Sequence, residues 1–441
     1  VRVVGLGGAY TALAEGVEGA AVNAAAPAVR EPFSLSWFDL DLDLGVSFPG
    51  SYANTDFDNS GAFDRVNNFL YFNVGAQAQL GYFGASISGE FLRYDVSPAS
   101  ASNPALSLTS GRWHALAAYG LAKDQLVVGA GIRAVSMELS QSGGPVPTTG
   151  STILTMIGGA PEIGVLAKPD DFPMRFGATL RAPVSGGNLG SGATRTDSQG
   201  ITRAGSLILP ARIIMPWDIE VGMALQVGPR PLNPAWINPH EQEARVRTSI
   251  TGARERRARE NAQILARVPH EERMAKATEL AQQEDAIRVV EDAELDAESR
   301  RLLAERKARY ANWPRERILL LTSVLMTGLS GSDSVSLEGF LDQRKEPFGH
   351  GVTLSPRLGI EAEPIVGLLR SRIGSYLEPS RFDDSPTAKH YTRQHFTFGG
   401  DLKLLPWDTF GVTKDQVWRV SFAIDLAPRY IDWGIAFGAW H

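Results

Sequence analysis

From Phe38 to Phe48 every second residue is apolar: Phe38, Leu40, Leu42, Leu44, Val46 and Phe48 alternate with Asp39, Asp41, Asp43, Gly45 and Ser47. A period of two puts the apolar set on one face of an extended strand and the aspartates on the other. One such strand would suit a soluble sandwich as well as a membrane barrel, but the pattern recurs along the chain. It returns at 72–80, 85–91, 113–121, 126–132, 163–167, 174–180, 207–213 and 219–225. After a long interruption it resumes at 318–326, 335–341, 352–360, 369–377, 396–404, 420–426 and 431–437. Counted this way the chain has 16 strands. Short turns near 82, 123, 171, 216, 330 and 365 alternate with long loops at 49–67, 96–110, 140–152, 185–203, 228–315 and 379–389. This sorting predicts an all-β fold, a transmembrane antiparallel β-barrel of a bacterial outer membrane with its short turns in the periplasm.

Composition agrees with that class and excludes others. No apolar run approaches the ~18 residues of a membrane helix. The mean hydropathy of −0.11 is what alternating lipid-facing and lumen-facing residues produce on average. With no cysteine there are no disulfides and no thiolate metal sites. The net charge of −6 implies no polyanionic partner, and nucleic-acid binding is not expected. The chain starts at Val1 without Met or a charged-then-apolar leader, so a cleaved secretory signal is expected. The seven histidines lack metal-ligand spacing, and His390 and His395 fall on opposite faces of a strand. No catalytic, metal or cofactor site is expected.

The strand faces opposite the apolar sets carry both signs in about equal number. Asp39, Asp41, Asp43 and Glu361 stand against Arg175, Arg181, Arg370 and Arg372. A wide ion-selective pore would favour one sign at its constriction. A balanced interior predicts cross-strand ion pairs and a plugged or narrow lumen.

Residues 1–32 do not alternate. They run through the small-residue stretch Gly5-Leu-Gly-Gly-Ala-Tyr-Thr-Ala-Leu-Ala14 to Asn23-Ala-Ala-Ala-Pro27-Ala. The first stretch resembles the N-terminal signature of the long-chain fatty-acid transporter (FadL) superfamily, which includes the PorV-type barrels. The second departs from the family's Asn-Pro-Ala element. The segments EIGVLAKPDDFPMRFGATLRAPV (162–184) and LPARIIMPWDIEVGMALQV (209–227) also resemble family strand–turn–strand units. The resemblance implies 14 strands, against the 16 read from the residues, with the N-terminal segment folded inside as a hatch that uses Gly5, Gly7, Gly8, Asn23 and Pro27. It implies passive passage of hydrophobic small molecules from an extracellular site through the lumen toward a lateral opening, with no cofactor. The PorV-like alternative is a structural barrel that docks another protein.

Residues 235–315 interrupt the barrel, dividing it into 33–234 and 316–441. Ala, Glu, Arg, Gln and Leu dominate there, and all favour helix. Two helices are expected, about 239–266 and 270–311, the second broken near 293. Leu280 and Ile287, then Leu295 and Leu302, allow only a thin apolar seam. Arg254, Arg256 and Arg257 suggest a face for lipopolysaccharide phosphates or a protein partner across 239–312. Strand parity places this arm outside the cell.

Overall fold

The computed structural model describes the chain except residues 31–33, 35, 51–54, 64–65, 97–105, 142–151, 192–194, 197, 205, 315, 384–390, 410–412 and 440–441. His390 lies outside the described residues. Fourteen antiparallel strands form a closed barrel. They are β1 (Phe38–Ser47), β2 (Val66–Leu80), β3 (Phe83–Val96), β4 (Leu106–Leu121), β5 (Leu126–Gln141) and β6 (Thr152–Ala167). Next come β7, in two pieces (Met174–Arg181 and Val184–Ser191), and β8, also in two (Arg212–Met215 and Asp218–Val227). The series continues with β9 (Ile318–Thr327), β10 (Thr353–Ile365), β11 (Leu369–Glu378), β12 (Arg393–Lys403), β13 (Trp418–Ala427) and β14 (Tyr430–Ala439). Pairing of β1 with β14, Asp43 opposite Gly438, closes the ring.

The period-two reading sorts inside from outside. Along β1, Asp41 and Asp43 are buried while Leu44 is exposed. Ile87, Ile132, Ile163, Leu358, Ile373, Phe422 and Ile435 are all half-exposed or more on a ring that has no soluble partner layer. That outward apolar belt is the lipid-facing surface of a membrane barrel.

The count of 16 is corrected to 14, for two reasons. Pro216 does not turn the chain. The pieces of β7 and β8 keep one register through it, with Arg181 opposite Asp218 and Val184 opposite Met215. Pro216 interrupts a single strand because it has no N–H for the ladder. Residues 335–341 are not a strand either: Leu337–Leu341 is a short helix whose first turn is capped by Ser336, which accepts from the Gly339 N–H at 2.8 Å.

Both errors shift parity by one. They cancel at the C-terminus and invert every assignment between them. In the structure β8 runs toward the turns at 81–82, 122–125, 168–173 and 366–368, so the 228–317 connection leaves from the short-turn end. The expectation that it emerges among the long loops is overturned.

The chain divides into two compact units, the barrel and a smaller one comprising Phe33–Trp37 with Trp236–Pro314. The smaller unit is an antiparallel helical hairpin of Pro239–Arg267 and Arg273–Ala311. Asn238 caps the first helix by accepting from the His240 N–H at 3.0 Å, with Pro239 at its first position. The second helix is unbroken through 293.

Candidate functional site

The lumen is filled by residues 1–30. Short helical turns at Arg2–Gly5, Gly16–Ala20 and Ala26–Ala28 lie against the inner faces of strands around the ring. Two properties of the sequence permit this. The segment is built of small residues, and the wall presents glycine where the two backbones meet. A Cβ on Gly84 of β3 would overlap the Pro27 carbonyl oxygen, and one on Gly129 of β5 the Ala24 carbonyl oxygen. A Cβ on Gly177 would likewise meet the Thr11 carbonyl oxygen, one on Gly164 the Asn23 side-chain oxygen, and one on Gly374 the Gly7 nitrogen.

Electrostatics then fix the segment to the wall. Arg2 donates to both carboxylate oxygens of Glu361, at 3.0 and 2.9 Å, and to Glu15 at 3.2 Å. Glu15 accepts from Arg175 of β7 at 2.8 Å. Glu18 accepts from Arg419 of β13 at 2.7 Å. Arg372 bridges Glu361 at 2.7 Å and Asp401, and Arg419 reaches Asp401 at 3.2 Å. Each of these carboxylates and guanidiniums is almost fully buried, so the pairs compensate charges that would otherwise be very costly inside the barrel.

The residues expected to matter divide as follows. Gly5 packs on Gly399, with a built Cβ 3.3 Å from its Cα, and Gly7 and Gly8 have φ of +60° and +77°. Asn23 donates to the carbonyls of Thr11 at 2.9 Å and Val165 at 3.2 Å and accepts from the Ala25 N–H at 3.0 Å. The Pro27 carbonyl accepts from Gln79 at 3.0 Å. Asp39 pairs with Arg30 at 2.6 Å, Asp41 accepts from the Val17 N–H at 2.7 Å, and Asp43 accepts from Asn73 at 3.1 Å. Arg370 pairs with Glu363 at 3.0 Å. Arg181 pairs with Asp218 at 2.6 Å and donates to the Val22 carbonyl. Sequence reasoning missed Arg2, Glu15 and Glu18. Charged residues in a stretch otherwise built of Gly, Ala and Val were the available signal.

Above the segment lies a cavity of about 1530 Å³. Its floor includes Val3, Ala21 and Val22, and its walls include Val135, Met137, Leu209, Ile213, Met215 and Phe340. Toward the loop end, Phe340 and Leu341 of the short helix pack with Leu108, Leu139, Leu154 and Leu209 in one apolar cluster. Gln343 ties the two loop segments together, accepting from the Ile208 N–H at 2.9 Å.

The cavity also reaches the interruption in the wall, where it is lined by Arg133, Met215, Pro216 and Asp218. Paired residues stop at Arg181 and Asp218 and resume at Val184 and Met215, so 182–183 and 216–217 form a gap in the β7–β8 ladder. Pro183 and Pro216 supply no N–H there. Arg133, projecting from β5, fills the vacancy: one guanidinium nitrogen donates to the carbonyls of Ala182 at 2.7 Å and Pro216 at 2.9 Å. Its other terminal nitrogen donates to Asp218 at 2.8 Å.

In the helical hairpin, Arg254 pairs with Glu291 at 2.7 Å and Asp292 at 2.8 Å. Arg257 pairs with Glu284 at 2.9 Å and Glu291 at 2.8 Å. These arginines join the two helices, and Arg256 alone of the three is exposed and has no ion pair among the described residues. Hydrogen bonds from Arg257 hold the Glu284 carboxyl below its ordinary range, and those from Arg254 do the same for Glu291. Among the described residues no group of three or more His, Asp or Glu is arranged to hold a metal ion.

No family model and no curated protein matches the sequence. Among solved structures the chain is similar to the CymD monoaromatic hydrocarbon channel, with a TM-score of 0.48 and 11% identity over 99% of this chain and 95% of that one. It is also similar to the toluene transporter TodX of Pseudomonas putida, with a TM-score of 0.46 and 12% identity over 95% and 91% of the two chains.

Proposed function

We propose that this barrel passes small apolar molecules across an outer membrane without catalysis or an energy source, taking them from the loop side into the cavity above the N-terminal segment. The observation that carries the reading is that cavity of about 1530 Å³ over a segment that fills the axis: Val135, Met137, Ile213, Met215 and Phe340 form an apolar side, facing charged walls that include Glu90, Arg112, Glu220 and Arg357. An ion or sugar channel needs a continuous wet path, whereas buried ion pairs occupy this lumen at the level of Glu361 and Asp401. An apolar molecule gains from leaving water for the apolar side of the cavity, by about 25 cal/mol per Å² of apolar surface buried.

The test uses intact Gram-negative cells, whose lipopolysaccharide leaflet excludes the apolar dye N-phenyl-1-naphthylamine. Cells carrying the barrel should show a faster rise in dye fluorescence than cells without it. Val135→Trp combined with Met137→Trp, which covers the apolar side of the cavity and narrows it, should slow that rise. Equal rates with and without the barrel would refute the proposal.

A further inference from the structure

We infer that the connection between β9 and β10 is a lid over the loop side of the cavity, anchored on one arc of the ring and latched on the other by Phe340, Leu341 and Gln343. This rests on the passage of apolar molecules proposed above. The segment leaves and returns through a neck closed by the Ser330 N–H, which donates to the Gly349 carbonyl at 2.8 Å. The neck is fixed to the β11–β12 connection. There the Gly349 N–H donates to the Arg381 carbonyl at 2.7 Å, and the Arg381 guanidinium donates to the Gly328 carbonyl at 2.8 Å. Phe348 pairs with Phe382, their rings 5.0 Å apart. A second anchor lies on the β1–β2 connection, where Asp58 accepts from Ser336 at 2.7 Å and from Arg344 at 3.3 Å. These two residues flank the short helix Leu337–Leu341, so its base is held at both ends. The strands that carry the anchors, β11, β12, β1 and β2, lie in one arc of the ring with β13 and β14 between them.

The tip reaches the opposite arc. Phe340 and Leu341 are buried with Leu108 of β4, Leu139 of β5, Leu154 of β6 and Leu209. Gln343 accepts from the Ile208 N–H at 2.9 Å and donates to the Ile208 carbonyl at 3.3 Å. The segment therefore crosses the mouth from one arc to the other, and Ser334, Phe340 and Lys345 put it in the cavity lining. Its two attachments differ in kind. On the anchored side a guanidinium and a hydroxyl hold the buried Asp58 side chain, and withdrawing them would leave a carboxylate without partners. The latched side holds only apolar surface and one amide. When the tip lifts, the Ile208 N–H and carbonyl exchange Gln343 for water at the loop end. The apolar contacts that Phe340 and Leu341 give up are remade by an apolar molecule moving in between. A polar solute offers no such replacement, so the latch yields to the cargo that the apolar side of the cavity accepts. Gly331, at a φ of +144°, gives the neck the backbone freedom to turn.

The experiment uses the same dye uptake and exploits a chain with no cysteine of its own. Gln343→Cys with Ile208→Cys, joined by a reducible bis-methanethiosulfonate linker, ties the tip to the opposite arc. Linking should stop uptake, and reduction should restore it in the same molecules, which serve as their own folding control. Phe348→Cys with Phe382→Cys, facing residues at the neck, should form a disulfide whose reduction leaves the rate unchanged. Gln343→Ala should speed uptake about fivefold, the equivalent of one net hydrogen bond removed from the closed state. If wild type admits the dye and the linked tip admits it equally before and after reduction, the lid fails while the transport reading stands. If the neck disulfide also stops uptake, or Gln343→Ala is no faster than wild type, the division into anchor and latch fails. If wild type admits no dye, the lid and the transport reading fail together.

Discussion

Glu361 has no exposed surface and is contacted by the guanidiniums of Arg2, Arg317 and Arg372, so its charge can only be kept by partners from three parts of the chain. The alternation in β10 shows that this residue faces inward, but it does not show who meets it. Two of the three partners come from outside the strand's own hairpin, and Arg2 precedes the barrel altogether. The glycines were equally silent. Gly84 and Gly159 look alike in the sequence, yet a Cβ at Gly84 would strike the Pro27 carbonyl, while one at Gly159 would have nothing nearer than 3.6 Å. Gly84→Val should therefore cost about 1–3 kcal/mol, the usual penalty of overpacking, or else lift residues 26–28 off the wall. Gly159→Ala should be neutral. Thermal unfolding of the folded barrel in detergent, followed by its mobility in unheated gels, compares the two, and equal midpoints would contradict the close packing described for the segment.

At the scale of the element, what was legible is what depends on neighbouring residues. Period two marked all the long strands, and the helical composition of 239–312 marked the hairpin. What failed were the places where tertiary context decides. The sequence suggests a turn at Pro216, but β7 on one side and Arg133 on the inside hold the chain straight through it. Val335 to Leu341 alternates weakly, and the Ser336 cap tips it to helix. The hairpin's apolar seam is as thin as its spacing suggested: Leu280 and Leu302 are buried while Ile287 is 39% exposed. Its helices therefore lean on Arg254 and Arg257 against Glu284 and Glu291. Both glutamates titrate below their ordinary value in the folded hairpin. A depressed carboxylate pKa stabilises above the unfolded value, about 4.3, and that contribution is lost as pH falls through the folded value. Amide exchange in 254–291 should accelerate below about pH 4 relative to the barrel strands, and more so in high salt. Exchange that is flat from pH 7 to pH 3 would remove the ion pairs from the account of this element.

For the whole molecule, the arrangement of β8 decides which compartment the hairpin occupies. Fourteen strands return both ends of the barrel to one rim, the rim of the tight turns at 81–82, 122–125 and 366–368. In outer-membrane barrels the short turns are periplasmic and the longer loops external. Because β8 descends through Pro216 as one strand, it delivers residue 228 to that same rim, and β9 departs from it. A periplasmic hairpin is therefore the expected outcome, its longer helix of 39 residues spanning about 58 Å at 1.5 Å per residue. On that expectation lipopolysaccharide, confined to the outer leaflet, is out of reach of Arg254, Arg256 and Arg257, and a partner of Arg256 would be a periplasmic one. A single thiol decides the matter, since the chain has none of its own. Arg256→Cys should resist a membrane-impermeant maleimide in intact cells and react once the outer membrane is permeabilised. Ser332→Cys, in the long connection after β9, should react in both. If Arg256→Cys were labelled in intact cells while Ser332→Cys were not, the barrel would be inserted the other way up and its cavity would open to the periplasm.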